Sequence, residues 1–181
     1  EGALLQELGS PGRGLGRRDE AGTALARRPA SLLQLLDAGR ELLRGLRAGI
    51  TGLRGAGDPD YIDGELKALF ERGEIIGPRI VPTGHALTTT GGHETSNPAV
   101  RVADGPDGYR KAVRDNIRNG AEHIKVIMSG GIWGPAWDDI FSVFHAEDEL
   151  QAIFGTATPR GFPIMAHTGS AGPAKLAVSH G

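Results

Sequence analysis

The sequence predicts an α/β fold in which about four parallel strands alternate with crossover helices. Short apolar segments of β type alternate with helical stripes along the chain, and parallel strands need such crossover connections. Two strand-to-helix loops run to roughly twenty residues, longer than the usual ~2–6. Long loops at the carboxyl ends of strands are typical of the active-site face of a β/α barrel or of a doubly wound sheet, and the spacing alone leaves both open.

The composition is that of an ordinary soluble protein. The 181 residues are 39% hydrophobic, carry a formal net charge of -2 and include no cysteine. The lack of cysteine excludes disulfides and thiolate metal sites, and the balanced charge gives no indication of a nucleic-acid partner. There is no apolar run of about 18 residues and no signal-peptide pattern, so we expect a cytoplasmic protein without a membrane partner.

Residues 1–49 differ from the rest of the chain in residue usage. They contain no Val, Ile, Phe, Tyr, Trp, Met, Lys or His. Residues 1–28 are rich in Gly and Arg and show no strand period, so we expect a poorly ordered or altered N-terminal segment. Residues 29–181 are predicted to form the α/β unit. It begins with a helix at 31–48, whose leucines keep helical spacing and which Gly49 ends.

The next elements are defined by alternation and by capping residues. Residues 50–54 alternate as a short strand. Asp58-Pro59 provides an N-cap and a first-turn proline for a helix that Gly73 ends. Residues 79–83 form a second strand, which is weakened by its proline.

The second half of the unit repeats this pattern. A long loop at about 84–105 leads to a helix from Pro106 to Asn119. A strand at 123–128 is followed by another long loop, which ends near His145. The remaining predicted elements are a helix at 146–160, a strand at 163–167 and a helix at 171–179.

The strand at 123–128 carries a lysine where an apolar residue is expected. By the two-residue period, Lys125 shares one face with His123 and Ile127, whereas the other face is wholly apolar. An isolated buried ammonium is very costly. Lys125 must therefore be paired, chemically modified or held neutral.

A set of short strings resembles, in order and spacing, the metal-dependent amidohydrolase superfamily, in its imidazolonepropionase-like or prolidase-like branch. The resemblance covers about residues 31–181. The strings are Gly49-Ile50-Thr51 with Arg54, Gly77-Pro78-Arg79-Ile80, Thr90-Gly91-Gly92-His93, Ile124-Lys125-Val126, Ser129-Gly130-Gly131, Glu149-Leu150 with Ala152-Ile153, and Ala166-His167.

The resemblance implies a partial (β/α)8 TIM barrel with a metal site. Lys125 matches the lysine of the family's fourth strand, and His167 matches the histidine of its fifth strand. Both are implied ligands of one or two divalent ions, expected to be zinc, with Lys125 carboxylated by carbon dioxide. His93 is implied to lie on the substrate side of the site or behind a ligand.

The implied activity is hydrolysis of an amide bond in a small molecule or dipeptide by metal-activated hydroxide. The chain has no His-x-His pair, and the family's sixth-strand histidine and eighth-strand aspartate have no counterpart in it. We therefore expect an incomplete chain without a full catalytic set, inactive alone and able to self-associate through open barrel edges.

Two other functions stay open. Lys125 also suits a lyase or aldolase-type barrel in which the lysine is a Schiff-base nucleophile and Ser129-Gly130-Gly131 cradles a phosphate. The third interpretation is non-catalytic: a fragment, or a subunit that completes a barrel with another chain.

Each candidate residue also has a purely structural interpretation. Lys125 would then reach solvent or pair with Asp138 or Asp139. His167 would be a hydrogen-bonded core histidine, and His93 a polar residue in a glycine turn. These interpretations predict partners that a structure can test.

The remaining histidines and the tryptophans are weaker candidates. His123 lies about 7 Å from Lys125 along the strand at ~3.4 Å per residue, so we expect it to pack and not to bind a metal. His145 matches no functional position of the family. Trp133 and Trp137 are predicted either to line a pocket or to pack the second long loop.

Overall fold

The computed structural model describes residues 30–181. The predicted N-terminal segment, residues 1–28, lies outside the described residues. Six strands are present in this part of the chain: β1 (Gly52–Arg54), β2 (Arg79–Val81), β3 (Ala86–Thr88), β4 (Val100–Val102), β5 (Ile124–Ile127) and β6 (Ile164–His167). Its α-helices are α1 (Leu32–Arg47), α2 (Ile62–Glu71), α3 (Gly105–Arg118), α4 (Glu147–Ala157) and α5 (Ala171–His180).

The first helix begins as its sequence indicates. Ser31 is the N-cap of α1, and its Oγ accepts a hydrogen bond from the Gln34 backbone N–H at 3.2 Å. The Gln34 side chain in turn accepts from the Ser31 backbone N–H at 2.8 Å. This reciprocal capping box satisfies two backbone donors that the first turn of a helix leaves free.

The predicted start of the second helix at Asp58-Pro59 is wrong. The chain there forms a short 3-10 turn, Pro59–Tyr61, and the Asp58 side chain makes no capping hydrogen bond. Asp60 and Tyr61 both adopt left-handed backbone angles, with φ of 53° and 60°. Two consecutive residues in this region interrupt the helical path, so α2 starts only at Ile62.

All strand pairs in the two sheets are parallel, as predicted. β1 pairs with β2, and the second sheet has the order β4-β3-β5-β6. The residues between β2 and β3 join the two sheets, because Pro82 O accepts from the Glu122 backbone N–H at 2.8 Å and Gly84 O accepts from the Asp58 backbone N–H at 2.8 Å. The strands therefore lie side by side in a fixed order. β1 is followed by the continuous stretch that contains β2 and β3, then by β5 and then by β6.

The predicted long loop at 84–105 contains two strands that the sequence did not indicate. β3 and β4 are each three residues long and pair with one another in parallel. Segments this short show too few alternations for a two-residue period to be recognised. The four strands that were predicted are all present, although the structure shortens each of them.

The main hydrophobic core lies between the second sheet and α3, α4 and α5. Ile124 and Val126 of β5 are fully buried there, against Tyr109 of α3 and Leu150 of α4. Glu149 ties the two helices together, because its carboxylate accepts from the backbone N–H groups of Gly105 and Ala146. The helices therefore cover one face of the sheet, which we call the outer face.

No helix within residues 30–181 combines the length and the apolar character that crossing a membrane requires.

Asp63 holds the turn between β2 and β3 in place. Its Oδ2 accepts from the backbone N–H groups of Thr83 at 2.6 Å and Gly84 at 3.0 Å, and the residue is buried. Asp63→Ala should lower the free energy of unfolding by about 1–3 kcal/mol, because these buried donors lose a charged acceptor. Urea denaturation monitored by circular dichroism measures this change.

The matched control is Asp37→Ala on α1, whose side chain is exposed and, among the described residues, forms an exposed ion pair with Arg40. Its effect should stay within about 0.5 kcal/mol. Equal unfolding midpoints for the two variants would contradict the structural role of Asp63.

Candidate active site

Lys125 and His167 project from the face of the sheet that the helices do not cover, which we call the inner face. In the register of β5 and β6, Lys125 is opposite Met165 and Ile127 is opposite His167. Paired residues of parallel strands point to the same side, and the alternate residues Ile124 and Val126 lie in the core. Lys125 and His167 therefore share the inner face, with His167 about 7 Å further toward the carboxyl edge.

Lys125 is a buried residue whose surroundings lower the pKa of its amine. It is 8% exposed, and burial lowers the pKa of its amine. Glu94 opposes this shift and Arg54 adds to it. The solvent-exposed interpretation of Lys125 is therefore wrong. Asp138 and Asp139 are hydrogen-bonded to other groups, so the predicted pairing of Lys125 with either of them is not observed.

His167 carries a ring nitrogen that no other described residue satisfies. Its Nε2 is buried and has no hydrogen-bond partner within residues 30–181. Burial, with a smaller contribution from Lys125, lowers the pKa of His167, so the ring is favoured in its neutral form. A neutral imidazole with a free nitrogen is the form that binds metals. The interpretation of His167 as a hydrogen-bonded core histidine does not account for this nitrogen.

His93 lies beside His167, although the two are far apart in sequence. Their rings stack with centroids 5.2 Å apart and planes 18° apart. The Nδ1 atom of His93 is 2.7 Å from Oδ2 of Asp138, so the ring is fixed by a carboxylate as well as by the stacking. The structure thus brings His93 to the site that contains His167, and its role there stays a prediction.

Two residues near this site were not predicted to belong to it. Asp138 was considered only as a partner of Lys125. Thr88 follows Leu87, which lies in the core, so alternation places Thr88 on the inner face. Its hydroxyl is buried and has no partner in the described part of the chain. The sequence feature that could have indicated Asp138 is the group of glycines that precedes it. Taken alone, such glycines indicate only a loop.

The other candidates either pack in the interior or are exposed to solvent. His123 Nε2 is 2.9 Å from the Gly55 carbonyl and the residue is buried, which confirms the prediction that it packs. Trp133 is 94% exposed, so it neither lines a pocket nor packs the loop. Trp137 is also exposed.

Comparison with known proteins places this site in a family context. The chain is 32% identical to ochratoxinase from Aspergillus niger, in a match that covers 83% of this chain and 35% of that protein. A solved prolidase in complex with N-methylphosphonate-L-proline is 34% identical, with a TM-score of 0.73 over 83% of this chain and 40% of that one. A solved amidohydrolase is 33% identical, with a TM-score of 0.71 over the same shares of the two chains. No family model matches the chain.

These matches fit the amidohydrolase superfamily, in its prolidase-like branch. The predicted resemblance is therefore confirmed. The predicted partial barrel is confirmed as well, since the parallel strands and helices match about 40% of the length of amidohydrolase structures. The chain spans between a third and a half of the length of these relatives, whose names are those of hydrolases. By resemblance it is of the amidohydrolase type.

The described residues contain two of the donors that the family resemblance implies for a metal site, and no complete set. Within residues 30–181, no three His, Asp or Glu side chains are grouped so that they could hold a metal ion. Lys125 and His167 supply two donors of the right chemistry on one face, a buried amine with a lowered pKa and a free imidazole nitrogen. The ring of His93 is stacked on that of His167 with nearly parallel planes. In this arrangement the nitrogens of the two rings do not point toward one common metal position.

His145, which matches no position of the site, should make stability depend on pH. It is buried next to Tyr109, and burial lowers its pKa to about 4. The unfolded chain would bind a proton at His145 below pH ~6.5, whereas the folded chain binds it only near pH 4. The free energy of unfolding should therefore decrease as the pH is lowered from ~6.5 to ~4, by up to about 3 kcal/mol. Urea unfolding of wild type and His145→Phe at pH 7.5 and 4.5 measures this contribution.

The phenylalanine variant should lose less stability on acidification than the wild type. His180→Gln is the control. It also removes a histidine, but one that lies at the end of α5 in contact with Glu147 and not beside Tyr109. If wild type and His145→Phe lose equal stability between the two pH values, His145 is not the group responsible.

Proposed function

We propose that the chain carries part of the active site of a metal-dependent hydrolase that cleaves amide bonds, with Lys125 and His167 as metal ligands. The observation that carries this proposal is the shared inner face of β5 and β6. There, a buried amine with a lowered pKa lies near an imidazole nitrogen without a partner. Leaving the His167 nitrogen unpaired and holding a lysine where its charged form is disfavoured both cost free energy, so their retention points to a ligand.

The lowered pKa of Lys125 favours the modification that the family resemblance implies, because only the neutral amine can undergo it. A neutral amine nitrogen adds to the carbon of carbon dioxide, and loss of one proton leaves a carbamate with two oxygens and one negative charge. The product replaces a costly buried cation with an anionic ligand. His167 would add a neutral nitrogen ligand from the neighbouring strand. A bound divalent metal, zinc in this proposal, would polarise the scissile carbonyl and supply an acidified water.

The substrate class that we propose is a small-molecule amide or a dipeptide. It is supported by the names of the relatives, which include a prolidase solved with N-methylphosphonate-L-proline and an ochratoxinase. The inner face offers Thr88 and His93, in addition to the two ligands, as groups that could contact such a substrate.

A Schiff-base enzyme is the second candidate, because a lysine with a lowered pKa is also a nucleophile. The predicted phosphate cradle does not support it. The backbone N–H of Gly130 donates to Asp139 O at 3.1 Å, and that of Gly131 donates to Asp138 Oδ1 at 3.3 Å. Borohydride reduction with a carbonyl substrate would trap an adduct on Lys125 only if the second candidate is correct.

Zinc content measures the proposed site directly. The purified chain, incubated with zinc and bicarbonate and then desalted, should retain up to about one zinc ion per chain, because carboxylated Lys125 and His167 would provide two donors on the inner face. Lys125→Ala should lower the retained zinc several-fold, as should omission of bicarbonate. Inductively coupled plasma mass spectrometry gives the ratio of metal to protein.

The matched control is Lys175→Ala, which removes an exposed lysine from α5. It should retain as much zinc as the wild type. Equal zinc content in wild type and Lys125→Ala would contradict the role of Lys125 as a ligand.

A further inference from the structure

The loop between β5 and α4 returns to the inner face and places a carboxylate on His93. Asp138 is 45 positions from His93 in sequence, yet its Oδ2 lies 2.7 Å from His93 Nδ1. Its side chain is 7% exposed, and its Oδ1 accepts a hydrogen bond from the Gly131 backbone N–H. Both oxygens of this carboxylate are therefore used, one for the imidazole and one for the loop itself.

The backbone around this pair is packed too closely to allow side chains. A Cβ atom at Gly131 would lie 2.5 Å from His93 Cε1, and one at Gly130 or Gly134 would collide with Asp138. The glycines thus let the loop backbone enclose both members of the pair. An incidental ion pair at the surface would not require glycine at these positions. The contact between His93 and Asp138 is therefore a feature of the folded loop.

The chemistry of the contact determines which nitrogen of His93 carries the proton. An ionised carboxylate only accepts hydrogen bonds, so Nδ1 must donate and Nε2 keeps its lone pair while the ring is neutral. Glu94 Oε1 lies 3.8 Å from Nε2, which is beyond hydrogen-bond distance. The described part of the chain gives Nε2 no hydrogen bond, so this nitrogen is available to accept one.

We propose that Asp138 is a positioning residue that acts through His93. It fixes the tautomer of His93 with the proton on Nδ1 and holds the ring against His167. A substrate or water bound beside His167 would then meet a lone pair on Nε2 and not an N–H. The inference rests on the proposed function, since it assigns His93 as an acceptor at that same site.

Nuclear magnetic resonance of the chain labelled with 15N-histidine tests this proposal without metal or substrate. The signal of His93 is assigned by its loss in His93→Gln. In the wild type, the proton should be on Nδ1. In Asp138→Asn, the amide can donate to Nδ1, and we expect the proton to move largely to Nε2, as removal of the charge allows the other tautomer.

Asp139→Asn is the matched control, because it removes the same charge one residue further along. Asp139 bonds Ser142 and the Phe141 backbone N–H and does not contact His93. This variant should keep the wild-type tautomer. A wild-type His93 with its proton on Nε2, or an unchanged tautomer in Asp138→Asn, would overturn the proposal. The wild-type spectrum alone decides the tautomer if Asp138→Asn does not fold.

The measurement separates this proposal from the proposed function. If zinc is not retained but the tautomer changes as expected in Asp138→Asn, the positioning role stands and the metal site does not. If zinc is retained and the tautomer does not depend on Asp138, the metal site stands and the positioning role fails.

Discussion

The parallel pairing of β5 with β6 is the constraint on which the rest of the structure depends. Because successive residues of a strand alternate between two faces, the register places Ile124 and Val126 in the core and Lys125 with His167 on the opposite side. A shift of one residue in this register would bury the lysine among the helices and expose the core residues. The hydrophobic effect on the outer face therefore also determines the position of the polar groups on the inner face.

The inner face is costly for folding. Thr88 and His167 each bury a polar atom without a hydrogen bond in the described part of the chain, and Lys125 is a buried lysine whose pKa is lowered. Each unsatisfied atom is unfavourable by roughly 1–3 kcal/mol, which the apolar packing of α3 and α4 on the other face must offset. Locally unfavourable choices of this kind collect at sites that bind ligands. For the same physical reason, a lysine in an otherwise apolar strand indicates a functional site.

The regular elements could be predicted where the pattern is long enough to show its period. The leucines of α1 and the apolar residues of β5 are examples, and the order of the short strings also indicated the family. β3 and β4 were missed because three residues do not define a period. The predicted start of α2 is too early because residue type alone does not indicate the left-handed angles of Asp60 and Tyr61, which are uncommon for any residue other than glycine.

The sequence by itself determined the parallel α/β fold, its two faces and the chemical character of Lys125 and His167, since these follow from residue type and from periods of local order. Only the tertiary structure decided that Asp138 pairs with His93 and not with Lys125, and that His93 stacks on His167. These contacts join residues on separate loops whose paths have no period. The loop conformation is determined by the packing of glycine backbone around the two side chains, which requires the folded chain.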